Sequence, residues 1–212
     1  VSHQRVQDIR KAWGIEAGEA ASVFLLPGRL TEWKGQKLAI EALARLGADD
    51  RARILFILAG DAQGRTDYVD ALKAAIASAG LEGRVRLVGH CDDMPAAFLA
   101  SDVVLAPSMR PEAFGRVAAE ASAMGRPVIV ADHGGQRETV VDGQTGIAIV
   151  PGSASDLSRA LTTLSGSDAG LRTSMGAAGR DYVTARFSKR GLQVATLDVY
   201  NRVLQISEGR KH

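Results

Sequence analysis

The sequence predicts a doubly wound, Rossmann-like α/β domain: a parallel sheet with helices on both faces. Short apolar runs alternate with segments of helical spacing of about 10–15 residues, the mark of βαβ units. The runs are close to continuously apolar, as in Ile54 to Ala59, rather than alternating with period two; that suits strands covered on both faces. Most of them end in loops that carry glycine, aspartate or proline, residues that break regular structure.

The elements follow in order. Val23 to Leu26 reads as a strand that runs into a Gly-Arg loop. Gln36 to Leu46 places Leu38, Ile40, Ala42, Leu43 and Leu46 near helical spacing. Ile54 to Leu58 reads as a central strand stopped by Gly60-Asp61. Thr66 is placed to cap a helix through Tyr68 to Ala79 that ends at Gly80. Val85 to Val88 is the next strand, Met94 to Ala100 a short helix, and Val103 to Ala106 a strand. Phe114 to Met124 reads as a helix stopped by Gly125, and Val128 to Ala131 as a strand broken by Gly134-Gly135. Gly146 to Val150 is the last short strand. From Asp156 the pattern is helical, capped by Ser153 or Ser155 and interrupted at Gly166, Gly170 and Gly191; Leu157, Leu161 and Leu164 read as core.

Composition bounds the function. A chain of 212 residues is one large domain or two small ones, and 46% hydrophobic residues supply a core and exclude a disordered chain. No apolar run approaches the roughly 18–20 residues that span a bilayer. The formal charge of +2 is too small for a nucleic-acid footprint, so no nucleic-acid partner is expected. Acids and bases are interspersed except at the tail, Arg210-Lys211, read as a solvated terminus. Cys91 is the only cysteine, so no internal disulfide forms and a cytoplasmic setting is the default. Val1 to Trp13 is polar and helix-like, without the apolar stretch of a signal peptide.

Doubly wound sheets bind ligands at the carboxyl ends of their strands, which directs attention to the loops at 28–35, 60–65, 89–93, 107–115 and 132–138. The first carries Arg29 and Lys34 around Gly28 and Gly35, two cations suited to a diphosphate; spacing alone does not separate them from solvated surface cations. It is not a Walker A loop, because no G-x-x-x-x-G-K-[ST] occurs. In the fourth, Glu112 precedes Phe114-Gly115 and Glu120 lies inside the following helix. A helix starting near Gly115 would offer free backbone N–H groups to an anion. Carboxylates accept protons from sugar and ribose hydroxyls. Taken alone, Glu112 reads first as a partner of the helix dipole and Glu120 as a surface residue.

The order G-R-L-x-x-x-K-G, a G-D loop, P-S-x-x-P-E-x-F-G-x-x-x-x-E-A, G-x-P-V and G-G-x-x-E-x-V-x-D-G-x-T-G, from Gly28 to about Gly152, resembles retaining GT-B glycosyltransferases of the large family 4. The resemblance implies that Arg29 and Lys34 grip the donor diphosphate and stabilise it as leaving group. It implies that Glu112 orients the transferred sugar and Glu120 binds the ribose. Backbone at Phe114, Gly115, Arg116 and Val117 would offer amides to sugar and phosphate, Gly28 would line the diphosphate loop, and Gly89, His90 and Cys91 would pack on the base. It further implies a same-face reaction, in which the leaving phosphate helps to deprotonate the acceptor; Glu112 is then an orienting group and not a covalent nucleophile. No D-x-D occurs, and Asp49-Asp50 and Asp92-Asp93 read as turn or cap residues, so no metal and no other cofactor is expected. His133 reads as a solvated loop histidine, Glu138 as either facing the site or capping the next turn, and Cys91 as no nucleophile.

On this resemblance the chain, 1–212, is one nucleotide-sugar-binding domain, the C-terminal half of a GT-B enzyme. Residues 1–14 would lead in from an N-terminal domain that supplies the acceptor surface, and a helix at about 187–208, around Phe187 to Leu204, would pack back toward it. The domain alone would bind donor and transfer little or no sugar. The acceptor would be a glycan, a lipid or a lipopolysaccharide precursor, which leaves room for peripheral association at the inner face of a membrane. The alternatives are a nucleotide-sugar epimerase or phosphorylase of related architecture and a non-catalytic nucleotide-binding module. A dehydrogenase and an α/β-hydrolase are disfavoured because no G-x-G-x-x-G and no G-x-S-x-G occur.

Overall fold

The apolar runs form the strands β1 (Ser22–Pro27), β2 (Ile54–Ala59), β3 (Val85–Gly89), β4 (Val103–Ala106), β5 (Val128–Ala131) and β6 (Gly146–Ile149) in the computed structural model, which describes residues 1–16, 18, 22–166 and 169–209. All pair in parallel in the order β3-β2-β1-β4-β5-β6. Every residue of β1, β2, β4 and β5 is buried, which is why these runs lack polar alternation. Around the sheet stand α1 (His3–Ala12), α2 (Gln36–Ala44), α3 (Ala48–Ala52), α4 (Thr66–Ser78), α5 (Met94–Ala100), α6 (Arg116–Ala123), α7 (Ala154–Ser165), α8 (Ala169–Arg186) and α9 (Lys189–Gly209).

Successive strand residues feed two cores. Phe24, Leu26, Phe56 and Leu58 meet α2, α4 and α7 on one face, with the Phe24 and Phe56 rings 5.8 Å apart across the β1–β2 pair. Val23, Leu25, Leu55 and Ile57 meet α1, α5 and α6 on the other. Strand order reverses between β1 and β4, so the crevice of a doubly wound sheet opens where their following loops diverge.

The differences from expectation are local. Thr66 is the first helical residue of α4 and not its cap; Arg65 holds the cap position without a side-chain bond. The helix expected from Phe114 starts at Arg116, because Gly115 adopts a left-handed φ of 77°. Gly170 and Gly191 do not interrupt helices but lie within α8 and α9. Nearby, Gly176 lets α8 close on the end of α6: a Cβ there would sit 2.1 Å from the Gly125 carbonyl oxygen. The 3-10 turns Glu32–Lys34 and Gly135–Thr139, and α3 with Asp49 and Asp50 in its first turn, have no apolar periodicity to announce them. Asp93 and Ser153 do cap α5 and α7.

The N-terminal segment is docked on this domain. Arg5 donates to both carboxylate oxygens of Asp93 at 2.8 and 2.7 Å, Arg10 donates to the Ala100 carbonyl at 2.8 Å, and Trp13 is buried. Helix α9 instead leaves Leu192, Leu197, Tyr200 and Leu204 exposed. The tail Arg210-Lys211 lies outside the described residues. Among the described residues no helix is long and apolar enough to cross a membrane.

Candidate functional site

The loop after β1 is built by its neighbours. The Gly28 N–H donates to the Ala59 carbonyl (2.9 Å) and the Leu30 N–H to that of Asp61 (3.1 Å), tying it to the loop after β2. Fully buried Gln36, the first residue of α2, donates to the Arg29 carbonyl at 3.0 Å and accepts from the Tyr68 hydroxyl at 3.2 Å. Burial pushes the Tyr68 phenol up to about 12, a backbone contact at Lys37 opposes the rise, and Glu32 adds to it, so the hydroxyl remains a donor at neutral pH.

The topology then places the loop after β4 beside this one. The Lys34 ammonium donates to Glu112 Oε1 at 2.8 Å, with side chains only 13% and 16% exposed. The Ser108 hydroxyl donates to the same oxygen. Lys34 Nζ stands 4.4 Å from the Trp33 ring centre and the Arg29 guanidinium carbon 6.0 Å. The Met109 N–H donates to the Trp33 carbonyl (2.6 Å) and the Gly135 N–H to that of Glu112 (2.8 Å). His133, read as solvated, is half-buried and its Nε2 bonds the Ser108 carbonyl at 2.8 Å, joining the loops after β5 and β4. Glu138 has an exposed side chain, and its carbonyl accepts from the Tyr182 hydroxyl at 3.1 Å.

A cleft of about 290 Å³ opens at the carboxyl ends of β1, β2 and β3. Gly28, Arg29, His90, Cys91, Arg116, Val117 and Glu120 all line it, as do Asp61 and Gln63. Gly89 ends β3 just beneath. At its α6 wall the amides of Phe114, Gly115, Arg116 and Val117 find no acceptor among the described residues, whereas those of Ala118 and Ala119 bond the Gly115 carbonyl. Such unmatched N–H groups favour an anion. Glu120 accepts from Arg116 at 3.1 Å in an exposed pair, and pairs of that kind contribute about 0.3–0.5 kcal/mol, a small obstacle to exchange for a ligand hydroxyl. His90 and Asp92 form another exposed pair at 3.0 Å. Burial pushes the Cys91 thiol up, a backbone bond at Asp93 opposes this, and Asp93 and Asp92 add to it, so the thiol is protonated and a poor nucleophile.

Lys34 and Glu112 stand outside the cleft lining and border it across Gly28, over which the Lys34 stem runs: a Cβ on Gly28 would lie 3.6 Å from Lys34 Cδ and Cε. The Phe114 ring turns away from the cleft and meets Phe187 edge-on at 5.3 Å. Sequence reasoning missed Trp33, Gln36, Tyr68 and Ser108. Trp33 and Ser108 lie inside the matched motifs; Gln36 and Tyr68 gave no local signal. Among the described residues no three His, Cys, Asp or Glu side chains are grouped to hold a metal ion.

The family model of glycosyl transferases group 1 matches residues 7–182. The chain is 31% identical over 201 residues to the 2-deoxystreptamine glucosyltransferase of Streptomyces kanamyceticus, covering 94% of this chain and 50% of that protein. It is 36% identical over 176 residues to the D-inositol 3-phosphate glycosyltransferase of Corynebacterium aurimucosum, covering 82% and 41%. The chain thus spans about half the length of these relatives or less. Among solved structures, Anabaena HepE in complex with UDP and glucose matches at a TM-score of 0.81 and 32% identity, over 94% of this chain and 53% of that one. The C-terminal domain of LpcC, a glycosyl transferase group 1 family protein of Francisella tularensis, matches at a TM-score of 0.72 and 26% identity, over 85% and 93%. With its motifs ordered along a six-stranded parallel sheet and the family model covering most of its length, this chain belongs to the glycosyl transferases group 1 family.

Proposed function

We propose that the chain is the donor-binding, C-terminal domain of a retaining, family 4 hexosyltransferase that uses a nucleoside-diphosphate sugar. The observation that carries this reading is the cleft, where residues from separate loops converge on one helix N-terminus. The base lies along Gly89, His90 and Cys91, the ribose hydroxyls donate to Glu120, and the diphosphate takes the α6 amides with Arg29 and Lys34. Glu112 receives hydroxyls of the sugar. As the anomeric C–O bond breaks, negative charge gathers on the diphosphate and positive charge on the sugar ring. Fixed cations and amides lower that barrier because they are oriented beforehand. The leaving phosphate accepts the proton of an acceptor approaching on the same face.

Uridine is the favoured base, since HepE binds UDP and glucose. The likeness to a C-terminal domain in Francisella and to relatives twice as long supports an N-terminal partner domain that holds a glycan or lipid acceptor. Residues 1–14 lead in from that domain and α9 packs back on it. The similarity to the lipopolysaccharide core biosynthesis glycosyltransferase LpsE of Rhizobium meliloti, 32% identical over 84% of this chain and 49% of that one, supports work on envelope polysaccharide at the cytoplasmic face of a membrane. No metal takes part in this scheme.

Calorimetric titration with UDP, GDP and ADP tests it. Binding of UDP that persists in EDTA is expected. Glu120→Ala should weaken it by about 10–100-fold, the worth of charge-assisted bonds to ribose. Unchanged affinity in that variant refutes the ribose assignment.

A further inference from the structure

We infer that His133 is a positioning residue for the donor sugar: it holds the turn that carries Glu112, so that the free oxygen of that carboxylate meets the sugar hydroxyls at one fixed place. The inference rests on the glycosyl-transfer reading above and deepens it. His133 stands just before Gly134-Gly135 and outside the residues assigned to the donor.

Glu112 folds back onto the start of its own loop. The Ser108 hydroxyl donates to Glu112 Oε1, four positions on, and Ser108 is only 1% exposed. A hydroxyl fixes a carboxylate only if its own backbone is fixed. The peptide unit between Ser108 and Met109 is held at both ends. Its N–H donates to the Trp33 carbonyl at 2.6 Å, in the loop after β1. Its C=O accepts from His133 Nε2 at 2.8 Å, in the loop after β5. Among the described residues no other group donates to that carbonyl. The backbone N–H of His133 is engaged with the Ala131 carbonyl at 2.8 Å, so the ring and not the main chain makes the reach. A carbonyl only accepts, so Nε2 carries the proton, and it does so in both charge states of the ring.

The same loop grips the other end of the turn. The Gly135 N–H donates to the Glu112 carbonyl at 2.8 Å. Gly134 packs closely beside it: a Cβ there would sit 2.7 Å from the Glu112 carbonyl oxygen. Glu112 is thus fixed at its backbone by Gly135 and at Oε1 by Lys34 and Ser108. With both ends tied, the side-chain torsions have little room and Oε2 keeps one position. A site that selects a sugar through a hydroxyl needs its acceptor oriented before the ligand arrives. The Lys34 ammonium is a compact charge with rotatable donors, which attracts more than it directs. Direction comes from Ser108, and Ser108 is set by His133.

The test uses the 212-residue chain and its His133→Ala and His133→Gln variants, titrated calorimetrically with UDP and with UDP-glucose. UDP does not reach Glu112 in the proposed pose, so its affinity should stay within about twofold in both variants. UDP-glucose affinity divided by UDP affinity should fall about three- to tenfold in His133→Ala, the weight of one hydrogen bond. It should return in His133→Gln, which restores an N–H donor of similar reach. Ser108→Ala should lower the same ratio, and adding His133→Ala should lower it little further, because both act through one carboxylate. A merely structural stitch would lower Tm and leave the ratio alone. Long-range proton–nitrogen NMR correlations of the neutral ring should show the proton on Nε2. An unchanged ratio in His133→Ala, a loss that His133→Gln does not restore, additive losses with Ser108→Ala, or a proton on Nδ1 overturns the inference. A chain that binds neither ligand refutes the functional reading instead; the side-chain carboxyl resonance of Glu112 then decides the positioning, since it should shift in His133→Ala, and an unmoved resonance overturns it.

Discussion

Gln36→Met probes how the Arg29 loop is held. The substitution keeps the length of a fully buried side chain and removes both of its polar atoms. Two hydrogen bonds disappear, at 3.0 Å to the Arg29 carbonyl and 3.2 Å from Tyr68. Each contributes about 0.5–1.5 kcal/mol net, and a carbonyl left buried without a partner costs about 1–3 kcal/mol. Tyr68 is half-buried and turns to water, and Arg29 is an exposed residue whose bond from Gln36 is part-buried, so its carbonyl carries only part of that penalty. Greater burial of apolar surface offsets about 1 kcal/mol. The net destabilisation is about 1–3 kcal/mol, or roughly 2–12 °C in Tm for a domain of this size. Tyr68→Phe should cost less, about 1 kcal/mol. The decisive readout is UDP affinity divided by uridine affinity, because in the proposed pose only the former uses Arg29. The ratio should fall about 3–10-fold in Gln36→Met, the effect of about 0.7–1.4 kcal/mol lost at one charged contact. A lower Tm with an unchanged ratio would refute the idea that Gln36 positions Arg29.

Gly115→Ala places a Cβ 2.3 Å from Gln136 Cβ at a left-handed φ of 77°; a loss of at least about 2 kcal/mol is expected by urea unfolding, and a neutral result refutes the assigned backbone conformation. The Arg5 guanidinium, through its hydrogen bonds, holds the Asp93 carboxyl below its ordinary range. A depressed folded-state value stabilises above the unfolded value, roughly pH 4, and that stabilisation is lost as pH falls through the folded value. Hydrogen exchange in α1 should therefore accelerate at acid pH, and Asp93→Asn should speed it at neutral pH and flatten the acid limb; identical profiles would count against the α1 docking. In the whole enzyme Arg29→Ala or Lys34→Ala should lower kcat by about 10²–10³, and parental turnover in both would sink the leaving-group assignment.

What the sequence discloses is what one segment determines by itself. The strands β4 and β5 are readable because both faces are buried, so the run is apolar throughout. Helix α5 is readable because Asp93 accepts from the Ala96 amide and Pro95 follows at its start. Relations across the topology are not readable in this way. Lys34 and Glu112 are 78 positions apart and meet only because β1 lies beside β4. Gln36 has the pattern of an ordinary first helical residue, and the hydroxyl that bonds its side chain comes from Tyr68, 32 positions on. The motif match pointed to loops that the topology brings together, and could not reveal that Phe114 turns toward Phe187.

The Lys34–Glu112 pair bears on the choice between nucleophile and orienting group. Both contacts to the carboxylate, from Lys34 and from Ser108, fall on Oε1. Oε2 has no partner among the described residues, so one oxygen is anchored while the other is available to a sugar hydroxyl. Lys34 has three N–H donors and uses one on Glu112, so it can reach a phosphate oxygen without releasing the carboxylate. Removing either partner would leave a charge that is mostly buried, at a cost of several kcal/mol in the fully buried case and less at these exposures of 13% and 16%. The pair is therefore held in place before any donor arrives. A carboxylate whose charge is drawn toward an ammonium and a hydroxyl is a weaker nucleophile and a better-defined acceptor. Ser108→Ala should loosen that anchor while leaving Lys34 in place, lowering discrimination between donor sugars more than affinity for UDP, whereas a covalent role for Glu112 would require the opposite gain in its reactivity.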